Sequence, residues 1–128
     1  MRLLLDTHAF IWWLADHKSL SRRAHAAIEE PGNEVFVSAA SAWEITTKFR
    51  IGKLDNAEVV AADVAASITN EGFLPLAVSV KHAQTAGALR GSHSDPFDRM
   101  LIAQAMLESM IFVSKEARFD AFAIKRLW

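Results

Sequence analysis

Short apolar runs recur along this chain, each closed by a polar residue and each followed by a stretch of helical pattern. They are Leu3-Leu4-Leu5, Val35-Phe36-Val37, Phe73-Leu74-Pro75-Leu76-Ala77-Val78 and Ile111-Phe112-Val113-Ser114. Runs this short and continuous read as strands buried on both faces. Strands that alternate with helices predict a parallel sheet joined by right-handed crossovers. The expected fold is α/β: a three-layer α/β/α sandwich around a parallel, four- to five-stranded sheet, with the fifth strand read at Ala123-Ile124. Pro75 cannot donate to a ladder, which sends its strand to an edge or ladder end.

Helix boundaries follow from capping chemistry. Ser21 suits the N-cap of a helix through Ile28, and Ser38 that of a helix from Ala39 to about Arg50, closed near Gly52. One helix is read from about Ala57 to Thr69, and Ser79 opens another. The clearest start is Asp95-Pro96-Phe97-Asp98, with Asp95 at N-cap, Pro96 at N1 and Asp98 placed to complete a capping box. A short helix or turn is expected at Glu116–Phe119. The first helix, with Phe10, Ile11, Trp12, Trp13 and Leu14, is too apolar for a one-faced surface helix. Part of it is expected inside and part against a partner. The tryptophans are read as core or interface residues.

A length of 128 residues suits a single domain, 1–128, and 52 % apolar against 23 % charged residues indicates a folded globular chain. The formal net charge of −1 means that any nucleic-acid contact must rest on local positive charge. The chain has no cysteine, which excludes disulfides and zinc–thiolate sites. No stretch reads as a signal h-region or a membrane span, so a cytoplasmic setting is expected.

The chemistry lies in acids placed at strand ends. Asp6 directly follows the first strand, at the rim where open α/β sheets bind ligands. Glu44 lies about two turns into the third helix, Asp98 in the first turn of its helix, and Glu116 just past the fourth strand. All four are expected along the same rim. Each has an ordinary reading too: Asp6 and Asp95 as caps, Asp98 as a capping-box acid, Glu44 and Glu116 as solvated surface acids. Carboxylates held close together repel, and burial raises their pKa. A hard divalent cation, Mg²⁺ or Mn²⁺, neutralises such a cluster and activates water for phosphodiester cleavage. Thr7 and Ser114 stand beside these acids in sequence, placed to orient them. Arg99, next to Asp98, is a candidate phosphate contact or acid partner. Lys48, Arg50 and Lys53 would line an RNA path or complement a helix dipole, and His8 and His93 are weaker contacts.

Four segments, LLLDTHAFIWWL, VSAASAWEITTKFRIGKL, HSDPFDRMLIAQA and IFVSKEARFDAF, together make the chain resemble a PIN-domain ribonuclease, specifically a VapC-type toxin. The resemblance implies an Mg²⁺- or Mn²⁺-dependent endoribonuclease with Asp6, Glu44, Asp98 and Glu116 as its acids and Asp95 as a further metal candidate. At the fourth position Glu116 replaces the usual Asp, and Ser114 stands where Thr is frequent. The resemblance also implies a cognate antitoxin, with Phe10, Trp12 and Trp13 lining part of its groove, an RNA substrate and a homodimer. Two other classes compete: a catalytically silent RNA- or protein-binding module, and a domain phosphorylated on Asp6. The second lacks the Asp two residues after Asp6 that haloacid-dehalogenase phosphatases carry.

Overall fold

The structure is a computed structural model that describes residues 1–128. Its strands are β1 (Arg2–Leu5), β2 (Glu34–Ser38), β3 (Leu74–Leu76), β4 (Ile111–Val113) and β5 (Arg126–Leu127). They form one sheet in the order β3-β2-β1-β4-β5, every pairing parallel. The helices are α1 (Thr7–Leu14), α2 (Arg22–Glu29), α3 (Ala39–Arg50), α4 (Glu58–Ala62), α5 (Val64–Asn70), α6 (Val80–Ala88) and α7 (Pro96–Glu108), with a 3-10 turn at Ala117–Ala121. No helix is long and apolar enough to cross a membrane.

Period-two alternation divides the core into two layers. Leu3 and Leu5 of β1 point into one cluster with Phe10, Ala24, Ile45 and Ile68. Leu4, between them, points into the other with Leu101, Ile102, Phe112 and Phe119. All three leucines are fully buried. Cutting Leu4 to Ala is expected to cost about 2–5 kcal/mol. The sheet is therefore covered on both faces, as expected.

The serine caps stand where the sequence puts them. Ser21 accepts from the Ala24 amide and Ser38 from the Ala40 amide. Ser79 and His82 form a reciprocal capping box. Gly52, at φ +75°, takes the left-handed turn after α3. Pro75 lies on edge strand β3.

Several expectations need correction. The helix expected over 57–69 is two helices, broken at Asp63 (φ −157°, ψ 88°), whose carboxylate accepts from the Ala66 amide. Aspartate competes for backbone hydrogens in this way and favours caps over helix interiors. The fifth strand lies at Arg126–Leu127, not Ala123-Ile124. Arg126 is held there by two hydrogen bonds to Asp120 and one to the Ser114 carbonyl. The capping box of α7 is half made. Asp95 accepts from the Phe97 and Asp98 amides, but the Asp98 carboxylate turns to His93 and Arg118. Phe10 is fully buried and cannot line a surface groove.

Candidate active site

The carboxyl ends of β1 and β4 lie side by side, and they set the first acid. Asp6 Oδ1 caps α1, accepting from the amides of His8 (2.7 Å) and Ala9 (3.1 Å). Its Oδ2 accepts from Ser114 Oγ at 2.6 Å. The cap and the rim acid are thus one residue, each oxygen with its own partner. Burial pushes the Asp6 pKa up, against the lowering effect of Ser114, the two amides and His8.

Glu44 is brought in by α3 and is buried, although glutamate is normally exposed. Thr7 Oγ1 lies 2.6 Å from Glu44 Oε1 and 2.9 Å from Ser41 Oγ. A threonine hydroxyl has one proton, and the carboxylate is the stronger acceptor. The other Glu44 oxygen pairs with Lys48, one helical turn on. Burial pulls the Lys48 ammonium down, but its bond and attraction to Glu44 outweigh this and leave it above its ordinary value.

Asp98 Oδ2 accepts from His93 Nε2 (2.9 Å) and Arg118 (3.2 Å). Burial raises the Asp98 pKa. The His93 hydrogen bond opposes this, while the charges of Asp95 and Glu44 raise it further. Asp98 therefore feels both the cap of its own helix, Asp95, and Glu44 brought in by α3. Glu116 is exposed, and its backbone N–H donates to Ser114 Oγ at 3.1 Å. Ser114 thus joins the first acid to the last.

Asp6, Glu44, Asp95, Asp98 and Glu116 all line one cleft of about 90 Å³, with Thr7, His8, Lys48 and Arg118 at its walls. Larger hollows exist elsewhere, but only this one gathers the buried acids. No trio of His, Cys, Asp or Glu side chains is arranged to grip a metal ion; Lys48 pairs with Glu44, and Arg118 and His93 with Asp98. The donors are all hard oxygens; Asp6 and Glu44 are buried, and Asp98 is raised by the charges of Asp95 and Glu44. Mg²⁺ is commonly held by one or two carboxylates with its remaining positions on water, and this cleft offers that set.

Arg99 does not reach the acids. Its guanidinium donates to the carbonyls of Ala86, His93, Gly87 and Leu89, pinning the end of α6 and the following loop to α7. Residues 98 and 99 project about 100° apart around a helix, which the sequence adjacency conceals. Arg118 and Ser41 went unrecognised as members of the site. Ser41 and Lys48 do carry a signal, at helical spacing of three and four from Glu44.

A parallel sheet with helices on both faces and buried carboxylates gathered at its strand ends defines an acid-cleft α/β/α domain. The PIN domain model matches residues 3–125. The chain is 33 % identical over 120 residues to ribonuclease VapC22 of Mycobacterium tuberculosis, covering 91 % of this chain and 88 % of that protein. A shorter match, 43 % over 61 residues, spans 48 % of this chain and 42 % of ribonuclease VapC16 from the same organism. In fold, the chain superposes with a TM-score of 0.72 on a chain from the crystal structure of VapBC2 from Rickettsia felis bound to a promoter DNA fragment, at 14 % identity and 100 % coverage of both. The chain belongs to the PIN-domain family, on its VapC ribonuclease branch.

Proposed function

We propose that this protein is a metal-dependent endoribonuclease, the toxin of a toxin–antitoxin pair. The observation that carries the reading is the convergence of buried Asp6 and Glu44 with Asp98 on one cleft, each supported by a hydroxyl or a base. Asp6, Glu44 and Asp98 would hold Mg²⁺ or Mn²⁺, with Asp95 at the cleft wall and Glu116 acting through water at its mouth. The bound ion would supply Lewis acidity and a water of lowered pKa for attack on an RNA phosphodiester. The chain's part is positional and electrostatic. Ser114 keeps Asp6 oriented and favours its ionised form. Thr7 keeps Glu44 oriented through its hydroxyl. Lys48 and Arg118 offer cationic partners to phosphate oxygens.

A groove of about 470 Å³ runs between α1 and α4–α5, lined by Ile11, Leu14, Val59 and Val60 together with the polar Asn56, Ser67, Asn70 and Glu71. Val59 is 87 % exposed there. This groove, in place of the one expected along Phe10, Trp12 and Trp13, is the proposed seat of the antitoxin. A homodimer and a cytoplasmic setting belong to the same reading.

Cleavage of single-stranded RNA with Mg²⁺ or Mn²⁺, its arrest by EDTA and its loss in Asp6→Asn together test the assignment. Undiminished cleavage by Asp6→Asn would overturn the mechanism. The silent-module reading draws on one observation, the pairing of Glu44 with Lys48 and of Asp98 with Arg118 inside the chain itself. It predicts RNA or protein binding with no cleavage at any metal concentration.

A further inference from the structure

The acid cleft adjoins a larger apolar hollow along the α3–α7 wall. Helix α3 carries Glu44 into the cleft, and Trp43, the residue before it, stands 64 % exposed outside. Trp12, Trp13 and Trp128 are half-buried, in keeping with the core-or-interface expectation; Trp43 is not. Trp43 meets Phe97 edge-on at 4.9 Å between ring centroids and 73° between planes. Phe97 directly precedes Asp98, so the aromatic pair is one residue from two of the acids. Lys48, the partner of Glu44, has its ammonium 6.0 Å from the Phe97 ring centroid. A lysine ammonium at the cleft wall and two aromatic rings thus adjoin. Behind the rings lies a hollow of about 510 Å³ with small side chains at Ala39, Ala40 and Ala86. That volume falls within the roughly 300–1,000 Å³ of ordinary ligand pockets.

We propose that this hollow receives an unstacked nucleobase of the RNA strand, lying against Trp43 while the adjoining phosphodiester occupies the acid cleft. The proposal rests on the endoribonuclease reading and adds to it a base-reading position beside the cut. Acids repel an RNA backbone, and the chain's net charge of −1 leaves little general attraction to offset this. Affinity must come from local contacts. Stacking on an exposed aromatic ring supplies it without any charge, and single-stranded RNA is commonly held in this way. Arg99 also borders the hollow, but its hydrogens are committed to four carbonyls. Selection there would therefore follow base shape and stacking strength more than hydrogen-bond pattern.

The test uses the full chain in an Asp6→Asn background, which separates binding from cleavage. Single-stranded RNA oligonucleotides of each homopolymer and of random sequence are titrated, following tryptophan fluorescence and anisotropy. Adding Trp43→Ala is expected to weaken RNA binding by about tenfold or more, whereas Trp43→Phe, which keeps a ring, stays within about threefold. Ala39→Phe, which fills the hollow and leaves Trp43 in place, should weaken binding like Trp43→Ala. Fluorescence quenching by RNA should diminish in Trp43→Phe. Unchanged affinity in both Trp43→Ala and Ala39→Phe overturns the proposal. So does a Trp43→Ala variant whose only change, by light scattering, is dissociation of a dimer, because the patch is then an interface between copies. RNA binding that depends on Trp43 in a protein that never cleaves would support the base site and sink the nuclease reading. Metal-dependent cleavage with binding indifferent to Trp43 would do the reverse.

Discussion

Ser114 Oγ lies 2.6 Å from Asp6 Oδ2, joining residues 108 positions apart in the chain. The contact exists because β1 and β4 are parallel neighbours that end together, with Leu5 beside Val113. It gives a buried carboxylate a donor aimed at its charged form, which opposes the burial that raises its pKa. Ser114→Ala is therefore expected to push Asp6 further up and move the acidic limb of the cleavage pH profile to higher pH. Cleavage at neutral pH should fall by about 10- to 100-fold, the usual effect of removing a partner that orients a metal-binding group. Ser114→Thr keeps the hydroxyl and should restore both. A pH–rate profile for each variant checks this.

Burial raises the pKa of Asp6 and of Asp98 from the ordinary aspartate value. The native state therefore takes up protons more readily than the unfolded chain. Their contribution to stability is fully present below the unfolded pKa and is lost as pH rises through the folded one. At neutral pH, without divalent metal, Asp6→Asn should raise Tm by about 2–6 °C while abolishing cleavage, and the gain should shrink as pH falls. Added Mg²⁺ or Mn²⁺ should raise Tm in the parent protein and much less in the variant. Thermal melts at two pH values, with and without metal, decide the sign. A lower Tm for the metal-free variant at pH 7 would mean that the ionised Asp6 stabilises the fold.

The parts of this molecule that were legible in sequence are those governed by local chemistry. Apolar runs gave the first four strands, and Ser21, Ser38, Ser79 and Asp95 marked their helix starts because capping needs only neighbouring amides. Asp6, Glu44 and Asp98 were legible as rim residues because a parallel sheet gathers its strand ends on one side. What was not legible depends on distant packing. Asp63 breaks a helix that its neighbours would continue, and Arg126 draws β5 three residues along through Asp120. Arg118 reaches Asp98 from 20 residues away, across the acid cleft. The exposure of Trp43 follows from where α3 meets α7, which no local pattern reveals.

Arg118 is 57 % exposed at its side chain, and its pair with Asp98 is partly in solvent. Exposed pairs of this kind contribute about 0.2–1 kcal/mol, so Arg118→Ala should change Tm little. Any cation entering the cleft must compete with this guanidinium for Asp98. Removing it should lower the Mg²⁺ or Mn²⁺ concentration for half-maximal cleavage by about two- to fivefold, while weakening RNA binding through the lost phosphate partner. A metal titration at saturating RNA separates the two effects. An increase in the metal requirement would place Arg118 in support of the metal site, not in competition with it.

Arg99 gives the sharpest contrast between adjacency in sequence and role in space. Its side chain donates to carbonyls at residues 86, 87, 89 and 93, tying the end of α6 and the loop before Asp95 to α7. A lysine keeps the charge but cannot serve four acceptors in a planar fork. Hydrogen bonds from a charged donor are worth about 1.5–3 kcal/mol each when removed. These four share one partly exposed group, so Arg99→Lys should cost about 2–4 kcal/mol in total and lower Tm by several degrees. The loop it releases carries His93, which pairs with Asp98, and leads into Asp95 at the cleft wall. Below its Tm the variant should therefore need more metal for half-maximal cleavage, while its maximal rate at saturating metal stays within about threefold of the parent. A phosphate-binding role predicts the opposite pattern, with Tm unchanged and KM for RNA raised, so paired melting and kinetic measurements on this single variant distinguish a scaffold residue from a substrate contact.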